Sequence, residues 1–321
     1  MQDRHTFVPQ LFKVVADEAP NRKTLVGGLT GPRAEPQLVL PGIQKVLDAA
    51  AKFEGMHYGV IDAGGEVVAS GLLTTKPPPV VATAVIGRHS HADSRALDDG
   101  LGLRHVFLVH RADTGNELHL FDLASANGTK TLHDQPIRAA RCEAPCIVRV
   151  GTALLVVVAH EHATLSAAHV VDLAAEQSRR QPQPVTNTAR FSFVLEDAAP
   201  VQGTSAPGER ETQEFAPIMR GDVQLRFRTF RPTAEALGQG LLLGRYGRCD
   251  LQGNDADYSL SRIHALLFAM REQVYLADLG STNGIVHEAL GAVRIKHLEV
   301  GDVFRLGQAR LLVGAPELRT P

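Results

Sequence analysis

The sequence predicts an all-β protein in which two copies of one β-sandwich are joined by a linker and preceded by a small mixed segment. The first observation behind this prediction is a repeated frame, D-L-x-S-x-N-G, at residues 122–128 and again at residues 278–284. The same displacement of 156 residues (278 minus 122) relates Arg-Val-Gly at 149–151 to Arg-Leu-Gly at 305–307. A repeat period of this length is too long for a solenoid, so the constant offset indicates a duplicated domain.

The second observation is the length and spacing of the apolar runs. In the second copy, runs such as Leu241-Leu242-Leu243, Val274-Tyr275-Leu276 and Leu311-Leu312-Val313 are separated by Gly, Asp, Asn and Ser. No long amphipathic helical pattern interrupts them. Short strands with a turn signal about every ten residues are typical of an antiparallel β-sandwich. The loops of such a fold lie at its ends, where function usually resides.

Length, composition and charge limit the class of protein. The 321 residues predict about two domains, and 44% hydrophobic with 21% charged residues is ordinary for globular cores. A net charge of −2 argues against a nonspecific nucleic-acid binder. The sequence has neither an apolar run of about 20 residues nor a secretory leader, so we expect a cytoplasmic protein without a membrane partner.

The pattern along the chain predicts five regions. Leu40-Pro41-Gly42 opens a helical spacing that runs to Ala50, and residues 58–62 read as a strand. Residues 163–180 are predicted to form a short helix, after which Pro, Gln, Thr and Gly favour a flexible linker. The predicted regions are an N-terminal extension (1–64), a first copy (65–159), a connector (160–220), a second copy (221–315) and a tail (316–321).

Three polar clusters punctuate the turns of the second copy. They are Gly244-Arg245, Ser261-Arg262-Ile263-His264 and Ser281-Thr282-Asn283-Gly284. In this order, and followed by Gly301-Asp302 and Leu306-Gly307, they resemble the forkhead-associated (FHA) domain over residues 221–315. The resemblance implies an eleven-stranded β-sandwich whose loops bind phosphothreonine peptides without catalysis.

The residue types fit that chemistry on physical grounds. A phosphothreonine carries about −1.5 to −2 charge and three strong acceptor oxygens. Arg245 offers a planar fork of donors, and Ser261 and Thr282 offer hydroxyl donors. The amide of Asn283 has both a donor and an acceptor, which suits a peptide main chain.

The family resemblance assigns a role to each of these residues. It implies that Arg245 and Ser261 hold the phosphate, that Arg262 and Thr282 flank it, and that Asn283 fixes the ligand main chain. Gly244, His264 and Gly284 are expected to be structural. Taken singly each residue has an ordinary alternative: Asn283-Gly284 alone is most often a hairpin turn, and Ser261 alone could cap a turn.

The first copy keeps only part of the pattern. Arg88, His105 and Asn127 are present, but Gly102 stands where the second copy has a serine and Ala126 stands where it has Thr282. A hydrogen bond to a charged group contributes about 1.5–3 kcal/mol, so losing two weakens phosphate binding by roughly two to four orders of magnitude. We expect a degenerate site that serves as a scaffold or a protein contact surface.

Neither the cysteines nor the histidines predict a cofactor or a metal. Cys142 and Cys146 have a CxxxC spacing, but the repeat places Leu298 and Asp302 opposite them, and no second pair completes a zinc site. The clusters at 89–91 and 160–162 lack the HExxH spacing and are expected to be surface loop residues. A weak metal site, or a histidine near Arg88 that assists phosphate binding, is the alternative.

One threonine in the connector has the features of a built-in ligand. Thr212 lies among acidic residues in the segment 209–215, E-R-E-T-Q-E-F, and its phosphorylation would allow docking on the second copy, within one chain or between chains. The predicted function is therefore a phosphothreonine-binding adaptor that acts downstream of a Ser/Thr kinase. The alternative is a structural protein that assembles through phosphate-independent contacts. Residues 1–64 contain no recognisable catalytic spacing, so no enzyme is predicted.

Overall fold

The computed structural model describes residues 13–14, 32–74, 81–111, 113, 115–179, 192–199, 213–220, 223–253 and 257–314. The chain divides into two compact units. The N-terminal unit comprises Lys23–Val185, and the C-terminal unit comprises Thr186–Pro321 together with Met1–Arg22. None of the described helices is long and apolar enough to cross a membrane.

The N-terminal unit is a β-sandwich with two helices and a short 3₁₀ helix. Its elements are α1 (Leu40–Ala50), β2 (Met56–Ile61), β3 (Val67–Leu73), β4 (Val81–Gly87), β5 (Ser94–Arg95), β6 (Val106–Arg111), β7 (Glu117–Asp122), β8 (Thr129–Lys130), β9 (Pro136–Ile137), β10 (Ala139–Glu143), β11 (Cys146–Val150), β12 (Ala153–Ala159), the 3₁₀ helix His160–Thr164 and α2 (Ala167–Arg179). Strand β1 (Lys13–Val14) belongs to the C-terminal unit, where it pairs with the strand Leu251–Gln252.

Two sheets enclose the core of this unit. One has the order β3-β2-β12-β11-β8-β9 and the other β10-β7-β6-β4-β5. Side chains such as Val60, Leu108 and Leu155 fill the space between the sheets and are fully buried. Helices α1 and α2 pack on the other side of the six-stranded sheet, where Leu47 and Val170 are also fully buried.

The C-terminal unit is a second sandwich. Its elements are β1, β13 (Ser192–Ala199), β14 (Gln213–Arg220), β15 (Val223–Phe230), α3 (Ala234–Gln239), β16 (Leu241–Gly244), β17 (Leu251–Gln252), β18 (Ala265–Met270), β19 (Gln273–Asp278), β20 (Ile285–His287), β21 (Gly291–Val293), β22 (Ile295–His297), β23 (Val303–Leu306) and β24 (Ala309–Gly314). The sheets have the orders β14-β15-β13-β24-β23-β20-β21 and β1-β17-β16-β18-β19-β22.

The strand orders of the two units are equivalent. The sheet β10-β7-β6-β4-β5 corresponds to β22-β19-β18-β16-β17, and each contains one parallel pair, β4 with β5 and β16 with β17. The other sheets correspond as well, once β14 is recognised as an added outer strand beside β15. The predicted all-β class with two sandwiches is confirmed. The described residues give eleven strands in the N-terminal unit but thirteen in the C-terminal unit, because β1 and β14 are additional.

The bounds of the units differ from those predicted. Strand β2 lies in the predicted N-terminal extension, yet it pairs with β12 and β3 inside the first sandwich. Strand β13 lies in the predicted flexible linker, yet it pairs with β24 and β15. The repeat offset of the sequence analysis does not align β13 with β2, because β14 is inserted between β13 and β15. Helices α1 and α2 agree with the helices predicted at 40–50 and 163–180.

Phe193 tests whether β13 belongs to the C-terminal core. Its side chain is fully buried and its ring stacks on Phe230 with a centroid distance of 5.1 Å. Removing a buried aromatic side chain costs about 3–5 kcal/mol. We expect Phe193→Ala to lower the free energy of opening in β24 and β15 by about that amount, which makes amide hydrogen exchange in both strands correspondingly faster. The exposed Leu290→Ala should change exchange little, and equal exchange in both variants would contradict the assignment.

Candidate functional site

Three loops meet at one end of the C-terminal sandwich. Strand β18 pairs antiparallel with both β16 and β19. The end of β16, the start of β18 and the end of β19 therefore lie side by side. The loops at these positions are residues 245–250, 257–264 and 279–284, and they contain all the residues predicted to bind the ligand.

Arg245 follows β16 directly and is anchored through its main chain. Its backbone N–H donates to the carbonyl of Ser261 at 3.1 Å. Its guanidinium carbon lies 5.1 Å from the centre of the Tyr258 ring, a cation–π contact. The Nε atom is buried and has no hydrogen-bond partner among the described residues. A buried donor of a charged group is costly when it is unpaired, so this atom is available to an acceptor that a ligand would supply.

Ser261 and Thr282 bring two hydroxyl groups together. The Ser261 hydroxyl accepts a hydrogen bond from the backbone N–H of Thr282 at 3.0 Å and lies 3.4 Å from the Thr282 hydroxyl. Ser261 is 9% exposed, whereas Thr282 is exposed. The two hydroxyls thus form a short row that begins inside the loops and ends at the surface.

His264 holds the second and third loops in place. Its ring is fully buried. Nδ1 accepts from the backbone N–H of Ser261 at 3.1 Å, so Nε2 carries the proton and donates to the carbonyl of Gly284 at 3.0 Å. Gly284 has a φ of +69°, a conformation that glycine adopts at low cost. The structural role predicted for His264 and Gly284 therefore has a physical basis.

Asn283 is exposed and is oriented by one main-chain contact. Its side-chain amide donates to the carbonyl of Ser259 at 2.7 Å. This bond holds the side chain at the rim of the loops, where the rest of the amide can meet a ligand main chain.

The carbonyl of Arg262 is held by two hydrogen bonds, and Gly244 leaves room for it. That oxygen accepts from the backbone N–H of Tyr246 at 3.0 Å and from the Cys249 thiol at 3.2 Å. Burial raises the pKa of Cys249 to about 12, so the thiol stays protonated and donates. A Cβ on Gly244 would lie 2.3 Å from the same oxygen, which explains the glycine. The Arg262 residue itself is exposed.

These groups together suit an anion with several oxygens. Arg245 supplies a guanidinium, and Ser261 and Thr282 supply hydroxyl donors from the two neighbouring loops. Arg262 adds a second positive charge at the surface. A phosphate ester carries up to two negative charges and three strong acceptor oxygens, so two guanidinium groups and two hydroxyls suit it well.

The equivalent arginine of the N-terminal unit has partners within its own unit. The Nε of Arg88 donates to the carbonyl of Leu101 at 2.7 Å, and its Nη1 donates to the Asp99 carboxylate at 3.3 Å. Neither Gly102 nor Ala126 offers a hydroxyl. The guanidinium and hydroxyl donors available in the loops of the C-terminal unit are therefore already paired or absent here.

The supporting framework is nevertheless the same in both units. Gly102 N–H donates to Nδ1 of His105 at 2.9 Å, and Nε2 of His105 faces the carbonyl of Gly128 at 3.2 Å. Asn127 donates to the carbonyl of Gly100 at 2.8 Å, as Asn283 does to that of Ser259. Burial lowers the pKa of His105, which keeps the ring neutral for these bonds.

Several contributing residues were not singled out from the sequence. Ser259, Tyr258 and Cys249 carry no motif of their own, and their roles depend on a carbonyl, a ring face and a thiol that only the loop geometry brings into contact. Thr212, which was predicted to be a built-in ligand, lies outside the described residues.

Comparison with known proteins agrees with this geometry. Residues 241–307 match the family model of the FHA domain. The C-terminal unit therefore contains an FHA domain. A search of curated proteins gives no match.

Solved structures give further similarities. An FHA domain studied for phosphothreonine-dependent interactions is 21% identical, covers 39% of this chain and 99% of its own, and has a TM-score of 0.25. An FHA domain from Chlamydia trachomatis is 20% identical, with coverages of 39% and 98% and a TM-score of 0.26. Mycobacterium tuberculosis EmbR in complex with a low-affinity phosphopeptide is 15% identical, with coverages of 48% and 31% and a TM-score of 0.25. TM-scores in this range do not by themselves establish a common fold.

Gly244 allows a test of the loop geometry. In Gly244→Ala the new Cβ meets the Arg262 carbonyl and must displace it, which breaks the bonds from Tyr246 and Cys249. We expect faster hydrogen exchange at the Tyr246 amide and a large loss of ligand affinity. Gly247→Ala is the matched control, because its Cβ meets nothing closer than 3.9 Å. Equal behaviour of the two variants would refute the proposed constraint.

Proposed function

We propose that the C-terminal unit binds phosphothreonine peptides and that the protein is a signalling adaptor without catalytic activity. The observation that supports this most directly is the buried Nε of Arg245, which has no partner in the described part of the chain. It lies in the same loop cluster as the hydroxyls of Ser261 and Thr282. A phosphate that accepts from all three groups would satisfy the donor and neutralise the arginine.

The magnitudes are sufficient for peptide recognition. Each hydrogen bond to a charged group contributes about 1.5–3 kcal/mol, so three such bonds contribute roughly 4–9 kcal/mol before the cost of ordering the ligand. Asn283 at the rim would add a main-chain contact beside the phosphorylated residue. A threonine methyl adds about 0.8 kcal/mol if it is fully buried.

The N-terminal unit is proposed to be an FHA-like domain with a degenerate site. Its strand order and its His105 and Asn127 contacts match those of the C-terminal unit. Arg88, however, already has a carbonyl and a carboxylate as acceptors. This favours a scaffold or protein-contact role, and it is the one place where the alternative of phosphate-independent assembly has support.

Phosphothreonine is produced by protein kinases, so the proposed adaptor acts downstream of a Ser/Thr kinase and binds that kinase's products. Its partners would be phosphothreonine-containing proteins.

The two arginines provide a matched pair of variants. We expect Arg245→Ala in the full chain to lower the affinity for a phosphothreonine peptide by at least about a hundredfold, because a charged, desolvated donor is removed. Arg88→Ala should leave that affinity unchanged. Isothermal titration with phosphorylated and unphosphorylated forms of the same peptide measures both effects. Retained binding in Arg245→Ala, or equal binding of the two peptide forms, would reject the proposal.

Thr212 is proposed to be a regulatory phosphorylation site whose product competes for the C-terminal unit. A short tether gives an effective concentration in the millimolar range, so even a weak internal ligand competes with external ones. We expect phosphorylation at Thr212 to weaken binding of a separate phosphothreonine peptide, and Thr212→Ala to remove that effect. Unchanged peptide affinity after confirmed phosphorylation would rule the switch out.

A further inference from the structure

Two cysteines of the N-terminal unit lie where the chain passes from one sheet of the sandwich to the other. Cys142 is in β10, where it pairs with Leu118 of β7. Cys146 opens β11, where it pairs with Val157 of β12. Strands β10 and β11 belong to different sheets, and only residues 144 and 145 separate them in the chain. Each cysteine is therefore held in place by the ladder of its own sheet.

Both side chains point into the space between the sheets. Residues two apart in a strand share a face, and Ala140 of β10 and Val148 of β11 are core residues. Cys146 belongs to the same core, and Cys142 packs against it. The two thiols approach each other from facing sheets and are hydrogen-bonded to one another. Two sulfurs in contact need only a small movement to reach bonding distance.

The two thiols have unequal environments. The hydrogen bond that Cys146 donates lowers the pKa of Cys142, although burial acts the other way. The same bond, together with burial, raises the pKa of Cys146 well above its usual value. Cys142 is half-buried, whereas Cys146 is buried. Cys142 is thus the sulfur that can become a thiolate and meet an oxidant, and Cys146 is the one that stays protonated behind it.

The third cysteine gives an internal comparison. Cys249 belongs to the C-terminal unit, and its thiol donates to the carbonyl of Arg262 at 3.2 Å. Burial raises the pKa of Cys249 to about 12, and the sequence has no second cysteine in that unit. The repeat places Leu298 and Asp302 opposite the pair, so this fold does not need two thiols there.

We propose that Cys142 and Cys146 are a redox-active pair that closes to a disulfide when the protein meets a peroxide. The inference concerns the N-terminal unit and goes beyond the proposed phosphothreonine binding, on which it does not depend. A disulfide at this position joins β10 to β11 and so links the two sheets of the sandwich.

The reaction has two steps, and atoms and electrons balance over both. The Cys142 thiolate attacks one oxygen of hydrogen peroxide, the O–O bond breaks, and Cys142 becomes a sulfenic acid while hydroxide leaves. The sulfur of Cys146 then attacks the Cys142 sulfur, the S–O bond breaks, and the hydroxyl group leaves as water with the proton of Cys146. The hydroxide takes up the proton that Cys142 had released. Two thiols are oxidised to one disulfide, and one peroxide is reduced to two waters.

The test uses the reduced full chain, hydrogen peroxide and peptide mapping. Cleavage after Arg141 and Arg149 places both cysteines of the pair in one peptide, residues 142–149, whereas Cys249 falls in another. Free thiols are alkylated in denaturant before digestion. We expect peptide 142–149 to lose two hydrogens and both alkylation sites at least about tenfold faster than the Cys249 peptide loses its one. Dithiothreitol added after the peroxide should restore both sites.

Variants assign the two roles. Cys146→Ser has no second thiol to complete the disulfide, so we expect the Cys142 sulfenic acid to persist and to be labelled by dimedone. In Cys142→Ser, Cys146 should be oxidised no faster than Cys249. Cys249→Ser removes the thiol outside the pair and should form the disulfide at the wild-type rate. The wild-type peptide map needs no substitution, so it decides the matter even where a variant does not fold.

Three results would overturn the inference. The first is oxidation of peptide 142–149 no faster than that of Cys249. The second is sulfinic or sulfonic acid at Cys142 with no disulfide, and the third is a disulfide that joins two chains instead of two residues of one chain. Dimedone labelling of Cys146 in Cys142→Ser, as strong as that of Cys142 in Cys146→Ser, would contradict the assigned roles.

Discussion

The geometry of the site depends on one buried imidazole that joins two loops. His264 accepts from the N–H of Ser261 and donates to the carbonyl of Gly284, and these two bonds fix the hydroxyl row and the Asn283 rim. A buried ring with both nitrogens satisfied does not have to reorganise when a ligand arrives. The donors are therefore ordered before binding, which lowers the entropic cost of recognition.

The two units show how such a framework can be retained while its binding groups change. His105 reproduces the contacts of His264, yet the Nε of Arg88 has its acceptor, the carbonyl of Leu101, within its own unit. In the C-terminal unit, the corresponding Nε of Arg245 is buried and has no acceptor among the described residues. A buried cation needs a counter-charge, so the arginine that has its partners inside one unit is the one proposed to take them from a ligand in the other.

The sequence predicted the fold class and the loop residues because both depend on local patterns. Short apolar runs between turn residues mark strands, and the ordered clusters around Arg245, Ser261 and Asn283 mark the loops. Strand β13 could not be found this way. The inserted strand β14 lies between β13 and β15 in the chain, so β13 is not displaced from its counterpart β2 by the repeat offset. The roles of Cys249 and Ser259 depend on a thiol and a carbonyl meeting residues distant in sequence, and no periodicity encodes such contacts.

The most direct test of the central claim follows the Nε–H group of Arg245 itself. Its ¹H–¹⁵N resonance is recorded in the full chain during titration with a phosphothreonine peptide. A hydrogen bond to a phosphate oxygen predicts a downfield proton shift that saturates with the binding curve and is absent with the unphosphorylated peptide. A peptide that binds in a phosphate-dependent manner while this resonance stays unchanged would contradict the account.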